Sequence, residues 1–430
     1  MSEDSFDAII VGAGIAGCVA GYLLAKEGMQ VLVIERGNYA GTKNMTGGRL
    51  YAHSLEKIIP GFADEAPVER RITHEKISFL TDDSAVTIDY QNGRSPVPIE
   101  ASYSVLRSTF DKWLMEKAEA AGVQFIPGVR VDELLVKDGK VVGVKAGDDE
   151  LEANVVILAD GVNSILGEKL GLVKRISPHN VAVGVKELIE LPQDVLESRF
   201  NLQGDEGMAW MFAGMPSDGR MGGGFLYTNK TSISLGVVIG LEGIGDAKKS
   251  VPQMLEDFKE HPAVKPLIKG GKMIEYSGHL VPEGGLNMLP NLTSDGVMIV
   301  GDAAGFCLNV GYTIRGMDLA VASAKAAALT VIDAKKSGDF SKAGLAGYRK
   351  RLEDGFVLKD LNLYKRLPSF MESNTRVFDA YPKLMANVMQ DLFIIDGTPA
   401  VPLMTKMRKR IGEVGIMNLI KDGIAGVRSL

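Results

Sequence analysis

Four short segments of this sequence carry residues that suit the binding of a large phosphorylated cofactor. In Gly12-Ala13-Gly14-Ile15-Ala16-Gly17 the glycines have the spacing of a strand-to-helix turn. Gly12 permits the tight turn, Gly14 lets backbone amides reach a pyrophosphate, and Gly17 lets the helix lie close to its sheet. The N-terminus of that helix then stabilises the phosphate charge. Glu35 stands eighteen residues after Gly17 at the end of an apolar run, where a carboxylate accepts hydrogen bonds from an adenosine ribose. A second apolar run ends in Ala159-Asp160-Gly161. A third, Gly296–Val300, runs into Gly301-Asp302-Ala303-Ala304-Gly305. There the Asp is placed to bind a ribityl hydroxyl, and the glycines let the chain approach a second phosphate. The fourth segment, Gly311-Tyr312-Thr313-Ile314-Arg315-Gly316-Met317, opens a long alanine-rich helix. Its N-terminal amides would face a flavin pyrimidine carbonyl and stabilise the reduced anion. The last two segments favour FAD over a nicotinamide cofactor.

Other chemistries find little support. Two cysteines, Cys18 and Cys307, cannot ligate a four-cysteine iron–sulfur or zinc site. Each lies in a glycine-rich motif, and Cys18 starts a small-residue helix face, which suits packing. The five histidines show no paired metal spacing, and no Ser/His/Asp, Cys/His or paired-carboxylate constellation stands out. No catalytic side chain and no metal ligand is therefore expected. A formal net charge of −6 argues against a nucleic-acid binder. The charge is uneven: residues 401–430 carry +4, leaving −10 on the rest. The N-terminus lacks the layout of a signal peptide, and no apolar run is long enough to span a bilayer. With so few cysteines, a reducing cytoplasmic setting is expected.

The elements that must position these residues follow from the patterning. Phe6–Val11, Ile15–Gly28 and Gln30–Glu35 read as strand, helix and strand. Residues 72–100 read as short strands and turns, Phe110–Ala121 as a helix, and Lys137-Asp138-Gly139-Lys140 as a hairpin connection. Residues 155–159 form another buried strand. Val181–Leu191 and Ser232–Leu241 are strands of a second, antiparallel block with a helix near Val251–Lys259. With 430 residues, two intergrown domains are expected. The fold class is α/β: a Rossmann-type FAD-binding domain in pieces at 1–70, 101–174 and 291–340. A β-rich insertion at 71–100, an antiparallel substrate or acceptor domain at 175–290 and a helical region at 341–430 complete it.

The ordered motifs at Gly12, Asp160 and Gly301 resemble those of a large class of FAD enzymes. It includes aromatic hydroxylases, geranylgeranyl reductases and electron-transfer-flavoprotein dehydrogenases. In that class the Gly-Asp segment binds FAD and the Asp-Gly segment lies near the pyrophosphate. Arg107, just before the Phe110-Asp111 helix, matches the arginine that contacts the cofactor there; a solvated surface arginine is the alternative. Finer resemblance comes from Lys43-Asn44-Met45-Thr46-Gly47-Gly48-Arg49-Leu50-Tyr51, from Pro282-Glu283-Gly284-Gly285, and from His261 to Tyr276. These are similar to the FixC branch of electron-transfer-flavoprotein:quinone oxidoreductases, with the likeness running to Gly423. The single-chain quinone oxidoreductases carry a cysteine-rich iron–sulfur domain that this sequence lacks.

The resemblance implies FAD bound by Gly12, Ala13, Gly14, Ala16, Gly17, Glu35, Arg36, Gly47, Gly48, Arg107, Val129, Ala159, Asp160, Gly161, Gly301, Asp302, Gly311, Arg315, Gly316 and Met317. It implies electron transfer from an electron-transfer flavoprotein to a quinone or other lipid-soluble acceptor, with a separate small ferredoxin-like partner supplying the cluster. Two alternatives stay open. One is reduction of isoprenoid double bonds, suggested by Trp210 to Pro216 followed by Gly222-Gly223-Gly224, a stretch that also suits plain core. The other is a non-catalytic subunit of an electron-transfer complex. Met404, Met407, Ile411, Val414 and Met417, interleaved with Lys406, Arg408, Lys409 and Arg410, fit a basic amphipathic helix. Such a helix suits the inner face of an anionic membrane, an acidic partner, or simple packing on the body.

Overall fold

The structure is a computed structural model that describes residues 5–43, 47–93 and 95–430. The chain opens with β1 (Ser5–Val11), α1 (Ile15–Lys26) and β2 (Val31–Glu35). Then come β3 (Gly48–Tyr51), β4 (Val68–Leu80), β5 (Ala85–Gln91), β6 (Ser102–Val105) and α2 (Arg107–Ala120). β7 (Gln124–Pro127), β8 (Glu133–Lys137), β9 (Lys140–Ala146), β10 (Asp149–Leu158) and the short α3 (Ile165–Lys169) close the first half. The second half begins with β11 (Val181–Glu190), α4 (Gln193–Phe200), β12 (Glu206–Gly214), β13 (Gly222–Thr228) and β14 (Ser232–Gly240). α5 (Val251–Glu260), α6 (Lys265–Ile268), β15 (Lys272–Pro282), β16 (Thr293–Ser294) and β17 (Val297–Ile299) lead to α7 (Met317–Ser337). The rest is helical: α8 (Gly347–Asp354), α9 (Val357–Leu363), α10 (Leu367–Ser373), α11 (Ala380–Phe393), α12 (Leu403–Val414) and α13 (Ile416–Val427).

Among the described residues two large sheets organise these elements. In the first, β17, β10, β1, β2 and β7 run side by side and parallel. Apolar runs such as Ala8-Ile9-Ile10 and Val155-Val156-Ile157 fit this place, because a parallel sheet is covered on both faces. α1 has almost no exposed face: Ala16, Cys18, Val19, Ala20 and Leu24 are all buried. The Cys18 thiol donates to the Ala13 carbonyl and touches the Met115 sulfur, and burial pushes its pKa up, which fits a packing role. Asp138 and Gly139, both with positive φ, turn β8 into β9.

The second sheet has the order β15-β11-β14-β13-β12-β4-β6-β3, with β5 on β4. It is antiparallel except where β4 and β12 run parallel. Strands from residues 48–105 thus share one sheet with those of 181–282, although the sequence separates them. Arg70 of β4 joins them. It is buried, yet donates to the carbonyls of Asn229, Gly204, Glu206 and Lys230 and to the Glu197 carboxylate. A buried guanidinium needs such full satisfaction. Alternation divides this sheet into two faces. Val185, Leu226, Leu235, Val237, Trp210 and Phe212 pack with Phe258 of α5 in a core of their own. The opposite face carries Lys186, Phe225, Met211 and Ile77 in one cross-strand row.

Candidate functional site

The first, second and third segments converge at the carboxyl ends of β1, β10 and β17, the usual ligand crevice of an open parallel sheet. Gly12 has φ +104, and any Cβ there would collide with the Ala159 carbonyl oxygen. A Cβ on Gly17 would collide with the Gly12 carbonyl, so the helix can lie this close only with glycine. Gly14 is different: it has room, its only neighbour being an Arg107 guanidinium nitrogen 3.7 Å from an added Cβ. No side chain caps the α1 N-terminus, so its amides are left for a ligand. Glu35 accepts from the amides of Ala13 (2.9 Å) and Gly37 (2.7 Å), which fixes its carboxylate beside the turn. Val129 follows β7, and its amide donates to the Glu35 carbonyl; Arg36 is exposed.

Gly301 brings the third segment onto the first, since a Cβ there would lie 3.0 Å from that of Ala16. Burial raises the pKa of Asp302, and the Arg107 charge lowers it, so the two lie within electrostatic reach. Arg107 is clamped by Asp111, Nε to Oδ1 at 2.7 Å and Nη2 to Oδ2 at 2.6 Å. Asp111 is fully buried, and burial raises its pKa against the opposing pull of Arg107. Asp160 has a buried Oδ1 without a hydrogen-bond partner among the described residues, and burial pushes its pKa up to about 6. Gly161 follows with φ +79.

In the fourth segment Gly311 is exposed, and Gly316 caps α7 without a side-chain bond. Met317 packs close to Gly48, whose added Cβ would lie 3.6 Å from the Met317 methyl. Gly47 passes so near the Val105 carbonyl that no side chain fits. Asn44, Met45 and Thr46 of the same motif lie outside the described residues. Arg315, expected at the cofactor, is held at the start of α7 by two carboxylates. It bonds Asp318 (Nε, 2.8 Å) and Asp360 (Nη1, 2.7 Å) and lies over the Phe356 ring.

The site also holds residues that sequence reasoning missed. Lys186 on β11 and His279 on β15 share the site-facing side of the second sheet, as the register Lys186↔Ser277 and Gly184↔His279 shows. Burial pulls Lys186 down to about 8, and Arg107 adds to the effect. Burial pulls His279 down to about 4, with Lys186 and Arg107 both contributing. Glu283, which accepts from Asn309 Nδ2 at 3.2 Å, is pushed up to about 7 by burial. A charge that breaks the apolar run Val181–Val185 was the available signal for Lys186. By contrast, Trp210 faces the core: its Nε1 donates to Ser78 at 2.7 Å and its ring stacks on Phe212.

The residues fit FAD. An uncapped helix end, an empty approach above Gly14 and an orphaned buried carboxylate oxygen on Asp160 match a pyrophosphate and its hydroxyl-bearing arms. The family description "FAD binding domain" matches residues 5–206. "ETF-QO, ubiquinone-binding" matches residues 181–281, and "ETF-QO/FixC family C-terminal domain" residues 367–430. Protein FixC of Escherichia coli strain K12 is 64% identical over 430 residues, covering all of both chains. The chain belongs to the electron-transfer-flavoprotein:quinone oxidoreductase/FixC family. A probable electron transfer flavoprotein-quinone oxidoreductase, YdiS of the same organism, is 61% identical, again over the full length of both. Among solved structures, a geranylgeranyl bacteriochlorophyll reductase-like protein of Thermoplasma acidophilum shares the fold. Its TM-score is 0.73 at 20% identity, over 98% of this chain and 99% of that one. The flavin-dependent brominase Bmp2 also shares it, with a TM-score of 0.64 at 17% identity over 95% and 98%. The chain is therefore an FAD-binding oxidoreductase.

Proposed function

We propose that this chain takes electrons from an electron-transfer flavoprotein and passes them through its FAD to a quinone, with a separate ferredoxin-like protein supplying an iron–sulfur cluster. One observation carries most of the reading. The ubiquinone-binding description falls on β11 to β15, whose site-facing side, with Lys186 and His279, lies within electrostatic reach of Arg107 above the glycine turn. FAD supplies the capacity to accept and release electrons. The α1 amides and Glu35 hold its adenosine diphosphate half, Asp302 and Asp160 its hydroxyl-bearing centre, and the α7 amides the ring edge. No acid–base residue is required by this account, since water supplies protons to the reduced acceptor. The split-cluster reading rests on the two cysteines, both buried in the flavin half.

Contact with a membrane surface belongs to the same reading. No helix among the described residues is long and apolar enough to cross a membrane. The C-terminal helices instead present an outward apolar face, though not the one the spacing suggested. Gly415, at φ +90, breaks the expected helix into α12 and α13. Met407, Ile411 and Val414 are half-buried, and Lys406 and Arg410 both turn inward to Asp391. On α13 the polarity is reversed: Ile416, Met417, Ile420, Ile424 and Val427 are exposed, while Asp422 is buried against Arg376 and Tyr381. Arg408, Lys409, Lys421 and Arg428 are exposed on the same two helices, which suits an anionic lipid surface. The test of the whole reading is anaerobic reduction of the flavoprotein by candidate electron-transfer flavoproteins, followed by a quinone analogue. Flavin that no such donor reduces would refute it.

A further inference from the structure

The seam between β3 and the start of α7 contains two polar atoms that are buried and, among the described residues, without a hydrogen-bond partner: the Tyr51 hydroxyl and Asp318 Oδ1. Their chemistry is complementary but different. Burial raises the Tyr51 phenol, with Arg49 opposing, so it remains a protonated donor. Arg49 lies over the Tyr51 ring at 4.5 Å and is itself held by Glu75. Burial would raise Asp318, but His53 and Arg315 outweigh it and hold the carboxyl below the usual range, as an anion. All the bonds to Asp318 fall on one oxygen: Oδ2 meets His53 Nε2 at 2.9 Å, Arg315 Nε at 2.8 Å and Arg315 Nη2 at 2.6 Å. Oδ1 is left as a bare buried acceptor, an arrangement proteins rarely leave unsatisfied. The two groups are neighbours. Gly48 of β3 touches Met317, and the charges of Asp318 and Arg315 both act on the Tyr51 phenol.

A ligand that satisfies both must offer an acceptor to Tyr51 and a donor to Asp318. A quinone offers carbonyls only and leaves Asp318 unsatisfied. The pyrimidine ring of a flavin presents carbonyl, N–H and carbonyl along one edge, and the uncapped α7 amides supply donors for the second carbonyl. We propose that Tyr51 and Asp318 read the carbonyl–NH edge of the FAD pyrimidine ring and fix how the ring lies in this seam. Arg315 and His53 are positioning residues in this arrangement, since they hold Asp318 ionised and leave its second oxygen available. The inference rests on FAD binding and is independent of the electron donor and acceptor.

The test compares FAD with FAD methylated at N3, which lacks the N–H, in binding to flavin-free protein. Wild type is expected to bind the methylated cofactor at least about ten-fold more weakly, the value of a hydrogen bond to a buried charge. Asp318→Ala, which loses the acceptor and opens space for a methyl group, is expected to abolish most of that preference. Equal binding of the two cofactors by wild type overturns the proposal, as does an undiminished preference in Asp318→Ala. A water molecule would then be the occupant of the seam. Should Asp318→Ala fail to fold, Tyr51→Phe in the loaded protein gives a second readout. The infrared stretch of the flavin C4 carbonyl is expected to rise at unchanged flavin content, and an unmoved band overturns the proposal. Failure of wild type to bind unmodified FAD would instead contradict the cofactor assignment itself.

Discussion

Gly14→Val separates the cofactor cradle from the fold that supports it. At Gly14 the backbone has φ −76 and ψ −178, which any residue adopts, and an added Cβ meets only the Arg107 guanidinium at 3.7 Å. The flavin-free protein should therefore keep its stability to within about 1 kcal/mol. The same side chain stands where a pyrophosphate must approach the α1 amides. Losing two charge-assisted amide–phosphate bonds at about 1.5–3 kcal/mol each removes about 3–6 kcal/mol of binding. That is roughly two to four orders of magnitude in the FAD dissociation constant. Gly12→Val should behave in the opposite way. Its φ of +104 and the collision with Ala159 cost the flavin-free fold itself about 3 kcal/mol or more. Urea unfolding of the two stripped variants, together with FAD titration followed by flavin fluorescence, reads both quantities. A Gly14→Val protein that purifies with full flavin absorbance would refute the reasoning. So would one whose flavin-free form is as unstable as Gly12→Val.

Asp302→Ala should purify largely without flavin if, as proposed, its carboxylate holds the ribityl arm; full flavin occupancy would remove it from the site. Glu283 titrates at about 7 in the fold instead of its ordinary 4.5, so the folded chain keeps a proton that the unfolded chain releases between those values. Its contribution to stability is present below 4.5 and is lost as pH rises through 7, on the order of 3 kcal/mol. Glu283→Gln should flatten that slope in denaturation midpoints measured across the window, and an unchanged slope would place the titration elsewhere. Met417→Gln with Ile424→Gln, which removes apolar contact without adding charge, should abolish sedimentation with anionic liposomes at high salt and weaken it at low salt, whereas neutralising Arg408 and Lys409 should weaken it only at low salt. Binding unaffected by either pair would move the membrane contact off α13.

The glycine turn was legible because its geometry is local. Strand, turn, helix and acid lie within residues 6–35, and the steric demands on Gly12 and Gly17 come from their own neighbours. The helix that opens at Met317 was legible for the same reason. What the sequence hid depends on contacts between distant segments. β4 joins β12 across more than a hundred residues, and its anchor is a buried arginine of a kind that reads as surface. Arg315 followed the cofactor motif in spacing, but its partner Asp360, forty-five residues on, could not be read from the sequence. Lys186 was hidden in the same way: only the folded register puts it on one face with His279, and only burial within electrostatic reach of Arg107 pulls it down to about 8. In the tail the apolar spacing was continuous from Met404 to Met417, but one glycine with positive φ splits it and reverses which side faces outward.

The most direct measurement of the central claim is a stopped-flow anaerobic experiment on the FAD-loaded chain, with and without a small ferredoxin-like partner. A reduced electron-transfer flavoprotein is mixed first and a water-soluble quinone second, while the flavin absorbance is followed. The account predicts bleaching of the flavin by the donor with the partner present, and its return as the quinone is reduced. It also predicts no iron or acid-labile sulfide in the chain purified alone. Flavin that stays oxidised with every electron-transfer flavoprotein offered, or that reduces but never passes electrons to a quinone, would contradict it.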